Sequence, residues 1–365
     1  MKKVIDYKLL YLIIVIGLLG LLMVYSASNV VALNEFNDAL YYVKRQGLFF
    51  IISLLVSYFI IKFDVRKIEK YSPLIFLICL VLLFIVLIPG IGVVRGGARS
   101  WISLFGFSIQ PSEFMKLGLI FLFSKYLANN YKDLEKLSSF IKLFSIAVLI
   151  FLIIMLQPDF GTGIVILLSS LCVMFIAGAK IKYFGYIGIA GVLGLVFLII
   201  SAPYRLERIT AFLNPWSDPL GSGFQGIQSL FAITPGGILG HGFNKSIQKH
   251  FFLPEPQNDF IFAIFLEEFG LVGGIVLLIL FYLTFSRCFK ISIKLSNKFL
   301  KFLCCGITIS LLVQVIINMA VVTGLLPVTG ITLPLFSYGG SSLLITFVSF
   351  SIIISSSKYL ENEEA

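Results

Sequence analysis

Ten runs of mostly apolar residues, each long enough to cross a bilayer as a helix, follow one another along this 365-residue chain. They fall at 8–26, 46–62, 73–90, 111–128, 142–157, 159–178, 184–201, 259–284, 301–323 and 339–356. About 20 apolar residues in a helix cover the hydrocarbon of a membrane. Apolar side chains make up 59% of the sequence and charged ones only 13%, which leaves too little polar surface for a soluble protein of this length. The chain therefore reads as all-α, a polytopic membrane protein of about ten transmembrane helices in a single domain, residues 1–365. Lys2 and Lys3 ahead of a run ending at Ser26-Ala27-Ser28 also fit a cleavable signal peptide. That run is long for one and nine more follow, so it is read as a retained first helix.

With the amino terminus placed in the cytoplasm, nineteen of the 28 lysines and arginines fall inside and nine outside. This is the asymmetry of the positive-inside rule, and it puts both termini in the cytoplasm. The net charge of +10 does not indicate a nucleic-acid binder, because the charges lie in short segments between apolar runs and form no basic stripe. Cys79, Cys172, Cys288, Cys304 and Cys305 sit in apolar runs or beside inner segments. They suggest neither a disulfide framework nor a structural zinc site. One connection is long: 202–258, assigned to the outer side and rich in glycine, proline and aromatic residues. Loops of that length tend to carry function or disorder, and this composition favours an ordered segment lying against the membrane.

The fourth, sixth, eighth and tenth runs all enter from outside through proline-containing polar motifs. These are Gln110-Pro111-Ser112-Glu113, Gln157-Pro158-Asp159-Phe160-Gly161-Thr162, Pro254-Glu255-Pro256-Gln257-Asn258-Asp259, and Pro334-Leu335-Phe336-Ser337-Tyr338-Gly339-Gly340-Ser341-Ser342. Capping explains part of the pattern, since proline suits a first turn and an acid there complements the helix dipole. Three acids at such mouths, Glu113, Asp159 and Asp259, ask for more, because ionisable groups at membrane depth are costly and by default mark function. Glu113 and Lys116 share a helix face and can pair. Glu267 and Glu268 lie roughly 12–14 Å beyond Asp259 along the eighth run and read as structural rather than catalytic.

Among the outer basic residues, Arg95 and Arg99 flank Gly96-Gly97-Ala98 ahead of Trp101, and Arg205 and Arg208 open the long connection. Arginine's planar fork matches phosphate oxygens, and glycines let backbone approach a ligand. Interfacial snorkelling is the competing explanation. His241 and His250 form no metal-ligand pattern. The glycines of 235–242 make neither a phosphate-binding nor a dinucleotide motif, which argues against ATP-driven transport.

Taken together, several motifs resemble the SEDS proteins (shape, elongation, division and sporulation) over nearly the whole chain. They are Gly97-Ala98-Arg99-Ser100-Trp101-Ile102, the two Gln-Pro mouths, Leu253-Pro254-Glu255 running to Asp259-Phe260-Ile261-Phe262-Ala263, and Gly324-Leu325-Leu326-Pro327 running to the Ser337-Tyr338-Gly339-Gly340 mouth. The stretch from Arg208 to Pro219, followed by Gly221-Ser222-Gly223-Phe224-Gln225, is closer to the FtsW and SpoVE branch than to RodA. The resemblance implies a ten-helix fold in the bacterial cytoplasmic membrane. It implies a peptidoglycan glycosyltransferase that joins lipid II units at the outer face, in division or sporulation. It also implies a class B penicillin-binding protein as partner, besides other division or sporulation membrane proteins and the lipid bilayer, and no nucleic acid. Two positions depart from the family's pattern: Asn258 precedes the key aspartate where threonine is common, and Gly96 stands where asparagine is common.

In such a reaction a sugar hydroxyl attacks the anomeric carbon of a lipid-diphosphate sugar, with inversion and release of undecaprenyl diphosphate. The diphosphate is already a good leaving group, so one general base and a cationic clamp suffice. Asp259, which falls where the family's essential aspartate does, is the expected base. Arg99 and Arg208 are expected to hold the diphosphate, alone or with a divalent cation (magnesium or manganese). Trp101, Glu113, Lys116, Asp159, Glu255 and Ser337 are expected to line the substrate cavity. Two other functions remain open at this level. One is a lipid II flippase, which the lack of an inverted sequence repeat disfavours. The other is a non-catalytic scaffold for the penicillin-binding protein.

Overall fold

The computed structural model describes residues 5–95, 97–104, 107–200 and 203–360, and the side chains of Arg95, Arg205 and Arg208 are among those outside it. Each of the ten apolar runs coincides over most of its length with one helix. These are α1 (Tyr7–Phe36), α2 (Tyr41–Lys62), α3 (Ile68–Ile85), α4 (Pro111–Asn130), α5 (Leu137–Met155), α6 (Phe160–Ile176), α7 (Ile181–Ile200), α10 (Ile261–Lys294), α11 (Lys298–Val322) and α12 (Gly340–Ser356). The long connection adds α8 (Pro203–Leu213) and α9 (Phe224–Gly236). Hydrocarbon offers no partner to backbone N–H and C=O groups, so a Leu/Ile/Phe-rich run satisfies them by becoming a helix. Among the described residues, seven of the helices are long and apolar enough to cross a membrane, and α6 and the first part of α7 are apolar but shorter. α4 is the least apolar of the ten because it carries Glu113, Lys116 and Lys125.

The helices α11 and α12 form the middle of the bundle, mostly buried, whereas α2 and α3 turn most of their surface outward. α11 packs on α4, α6 and α10, and α12 packs on α2. The outward side chains, such as Leu55, Phe59, Leu77 and Val81, are aliphatic or aromatic, as a lipid surround requires. Fully buried Phe260, Phe336, Phe347 and Phe350 join α10, α12 and the chain between them in one core.

One element departs from an all-helical chain. Between α3 and α4 lie three antiparallel strands, β1 (Gly92–Arg95), β2 (Ala98–Leu104) and β3 (Phe107–Ile109), with Val93 opposite Trp101 and Ile102 opposite Ile109. β1 and β3 are too short to show a period of two in the sequence, and in β2 Arg99-Ser100 and Trp101-Ile102 break the alternation.

α10 is broken at Gly270, whose φ of 62° and ψ of −163° are not helical. The end of the long connection docks into the break. His241 N and Gly242 N donate to Glu267 O and Glu268 O at 3.0 and 2.9 Å, and Leu271 N and Val272 N donate to Gly237 O and Ile238 O at 2.9 and 3.1 Å. Backbone groups freed from the helix are thus paired by another stretch of backbone. The carboxylates complete the junction. Glu267 accepts from Ser246 Oγ (2.5 Å), Ile247 N (2.7 Å) and Gln248 N (3.3 Å). Glu268 accepts from Ser26 Oγ and from Ser246 N, with Lys249 Nζ 3.8 Å away. Burial draws the Lys249 ammonium below the usual lysine range, and Glu268 and Glu267 oppose that shift. The two acids therefore bind the long connection to α10.

A side chain at either glycine of this junction would break it. A Cβ at Gly240 would sit 2.2 Å from Glu268 O, and one at Gly270 2.5 Å from Gly240 N, both at positive φ. The positive φ alone costs an alanine about 1–3 kcal/mol. Gly240→Ala and Gly270→Ala are expected to lower the melting temperature in detergent and to speed protease cleavage within 237–250. Unchanged cleavage in both variants would show that docking does not depend on the break.

Candidate active site

Between α11 and α12, residues 327–339 run without helical structure, and Ile331 and Leu333–Ser337 are buried. Side chains from the surrounding helices hold this backbone. From α11, Asn318 Nδ2 donates to Ile331 O (2.6 Å) and Gln314 Nε2 to Thr332 O (3.0 Å). From α2, Gln46 Nε2 donates to Ser337 O (3.0 Å) while its Oε1 accepts from Gly339 N (3.2 Å). Tyr338 N donates to Gln257 O at 2.9 Å. The segment also crosses the first turn of α6, where Gly161 is so close that a Cβ would sit 2.6 Å from Thr329 O.

Asp259 is half-buried just ahead of α10, whose boundary residue is Phe260. Its carbonyl accepts from the same Asn318 Nδ2, at 2.9 Å. Its Oδ2 faces Gly330, 3.5 Å from where a Cβ there would be. Asp259 and the 327–339 segment therefore lie side by side.

Beside them, Lys116 Nζ lies 2.8 Å from Glu113 Oε1 and 2.6 Å from Gln314 Oε1, with all three side chains buried. Asp159 caps α6 by accepting from Thr162 N (3.1 Å), and its Oδ2 also accepts from Gln110 Nε2 (3.0 Å) and Ser112 Oγ (3.3 Å) on the α4 side. Capping is thus a real role of Asp159, and tying α6 to α4 is a second. Small cavities flank Lys116, one touching Ser310, Thr346 and Ser349 and the other Ser169 and Ser170. The mouths of α4, α6 and α10 and the segment leading into α12 meet at one end of the bundle, joined by polar side chains.

The signature of the FtsW/RodA/SpoVE family, described as cell cycle proteins, matches residues 7–362. The chain belongs to this family. Stage V sporulation protein E of Bacillus subtilis (strain 168) is 47% identical over 97% of each chain. A probable peptidoglycan glycosyltransferase FtsW of Saccharophagus degradans is 41% identical over 93% of this chain and 89% of its own. Among solved structures, a chain from a study of the structural coordination of polymerization and crosslinking by a peptidoglycan synthase complex has a TM-score of 0.77 at 28% identity, covering 98% of this chain and 99% of that one. The rod shape determining protein RodA of Thermus thermophilus has a TM-score of 0.71 at 25% identity, covering 98% of both.

Of the residues the SEDS resemblance singles out, Glu113, Lys116, Asp159 and Asp259 come together around the 327–339 segment. Arg99 and Trp101 lie on β2, whose sheet packs on α4 and α12. Arg208 lies on α8, and its side chain is outside the described residues. Glu255 is exposed and accepts from Asn258 Nδ2 within its own turn. Ser337 is buried, and its hydroxyl accepts from Leu333 N at 2.8 Å, so it holds the turn ahead of α12. Gln46, Gln314 and Asn318 belong to none of the motifs that mark the site in the sequence. Their one trace in the sequence is an amide inside an apolar run, and Gln314 and Asn318 stand four residues apart, on one face of a helix.

Removing one member of a buried ion pair strands the other, at a cost of about 3–5 kcal/mol. Lys116→Met is therefore expected to lower the melting temperature in detergent sharply, and the double variant Glu113→Gln/Lys116→Met to recover most of the loss. Equal losses in the single and double variants would show that the pair is not a charge-balanced unit.

Proposed function

We propose that this SEDS peptidoglycan glycosyltransferase, which serves sporulation or division, polymerises lipid II at the outer face of the bacterial cytoplasmic membrane with Asp259 as general base. The observation that carries the reading is the setting of Asp259. It is half-buried where the polar mouths meet, its backbone is anchored by Asn318, and its carboxylate lies beside Gly330. In this reading Asp259 takes the proton of the acceptor sugar hydroxyl as its oxygen attacks the anomeric carbon of the second lipid-linked unit. The bond to the diphosphate breaks on the opposite face, and its electron pair leaves with the diphosphate. A base so placed contributes roughly 10²- to 10⁴-fold, and holding two lipid-anchored substrates in register supplies much of the rest.

Arg99 and Arg208 carry the leaving diphosphate in this proposal. A magnesium or manganese ion at the diphosphate would be held by the phosphate oxygens with one or two carboxylates of the chain at most; among the described residues no three acidic, histidine or cysteine side chains gather as a metal site. Glu113, Lys116 and Asp159 shape the cavity wall, Asp159 bound to the mouth of α4 and Lys116 to Glu113 and to Gln314 of α11. The charge asymmetry of the sequence supports ten crossings with both termini in the cytoplasm. In this reading the polar mouths and 202–258 lie outside. The likeness to a chain of a peptidoglycan synthase complex supports a class B penicillin-binding protein as partner, along with other division or sporulation membrane proteins.

Purified in detergent, the protein is expected to convert lipid II into glycan strands. Asp259→Asn is expected to lose at least about 100-fold of that rate while keeping its melting temperature. Normal strands from the variant would point to a scaffold. Strands from neither protein would favour a flippase, whose activity has no meaning without two membrane sides. Losing a hydrogen bond to a charged group costs about 1.5–3 kcal/mol. Arg99→Ala and Arg208→Ala are accordingly expected to raise KM for lipid II roughly 10- to 100-fold. An unchanged KM in both would remove the arginine clamp.

A further inference from the structure

We infer that Asn318, on α11, is a positioning residue for glycosyl transfer, setting the separation between Asp259 and the 327–339 segment. The inference rests on Asp259 being the base. One amide nitrogen reaches two carbonyls from different parts of the chain, Asp259 O at 2.9 Å and Ile331 O at 2.6 Å. A carboxamide NH₂ has two protons in fixed directions, so each carbonyl takes one and their spacing is set by the planar group between them. On the far side of the same junction, Gly330 lies against the Asp259 carboxylate. The position of the carboxylate relative to whatever occupies the cleft thus follows from where Asn318 sits.

Asn318 is itself well fixed. It is 1% exposed, and one turn away Gln314 binds the next carbonyl of the segment, Thr332 O, while receiving the Lys116 ammonium. Two amides on one face of α11 therefore connect the Glu113–Lys116 pair to Asp259 through the segment. The Oδ1 of Asn318 is buried without a protein partner. The contribution of the side chain accordingly lies in its donors, and the informative change keeps the shape and removes them. Asn318→Asp does that, turning oxygens toward two carbonyls. Asn318→Ser is a smaller change that retains one shorter donor.

A misplacement of about 1 Å in a reacting geometry is worth about 10²-fold in rate. The test is steady-state polymerisation of lipid II by the full-length protein, with rates per monodisperse protein after size exclusion. Asn318→Asp is expected to lower kcat about 10- to 100-fold with KM within about twofold, and Asn318→Ser to lower it less. Thr323→Ala, at the residue that follows α11, is the control; that hydroxyl donates to carbonyls of the last turn of α11, Met319 O and Ala320 O, and kcat should not change. A kcat within about threefold of the unaltered protein for Asn318→Asp overturns the inference. So does failure of both Asn318 variants to yield monodisperse protein, which would make Asn318 a folding residue. If Asp259→Asn polymerises normally, it is the base assignment that fails. If Asp259→Asn is inactive and Asn318→Asp keeps its kcat, only the positioning role falls.

Discussion

Non-helical backbone inside a membrane-embedded bundle has no water to satisfy its N–H and C=O groups, so protein must do it. Residues 327–339 are where this chain meets that constraint most severely. Gln46 from α2 and Gln314 and Asn318 from α11 supply the donors, Ser337 caps its own turn, and Gln257 accepts from Tyr338 N. Much else follows from these bonds. α2 and α11 must stand on either side of the segment, and α6 must present a glycine to it. The loop before α10 is drawn alongside, and that loop carries Asp259.

The break in α10 answers the same constraint differently. There the unpaired helical groups exchange bonds with the backbone of 237–242, and two buried carboxylates take the amides that follow. The first part of α10 is consequently held at both ends, by Asn318 at Asp259 and by the long connection at Glu267–Gly270. A short helical piece fixed in this way is a rigid mount for the Asp259 carboxylate, the base we propose, and rigid mounts keep reacting groups in register. It also gives the long connection a mechanical link to that carboxylate, since the residues it binds lie on the same piece of helix.

The apolar runs were legible because membrane helices are written locally, in consecutive residues. The pairing of Glu113 with Lys116 was legible for a similar reason, because i and i+3 share a helix face. Asp159 as a cap was equally local. Of the three strands in 92–109, β1 and β3 escaped because they are short and β2 because Arg99-Ser100 and Trp101-Ile102 break its alternation. Gln314 and Asn318 escaped because a single amide in an apolar run says that it needs a partner, not which carbonyl it will meet. Ser337, expected to line the cavity, also accepts a bond from a backbone amide four residues earlier, a contact that exists only once the turn ahead of α12 has formed.

By itself the sequence determined a helical membrane protein, the order of its apolar helices, the polar motifs at which several of them begin and, through its motifs, the SEDS family. These properties depend on residues close together in the chain or on patterns kept across it. Only the tertiary structure decided how the mouths converge, that Asp259 and Ile331 share one amide of Asn318, and that Glu267 and Glu268 belong to the long connection. Those contacts join residues far apart in sequence. They arise because buried polar groups must find partners wherever the packed helices bring them.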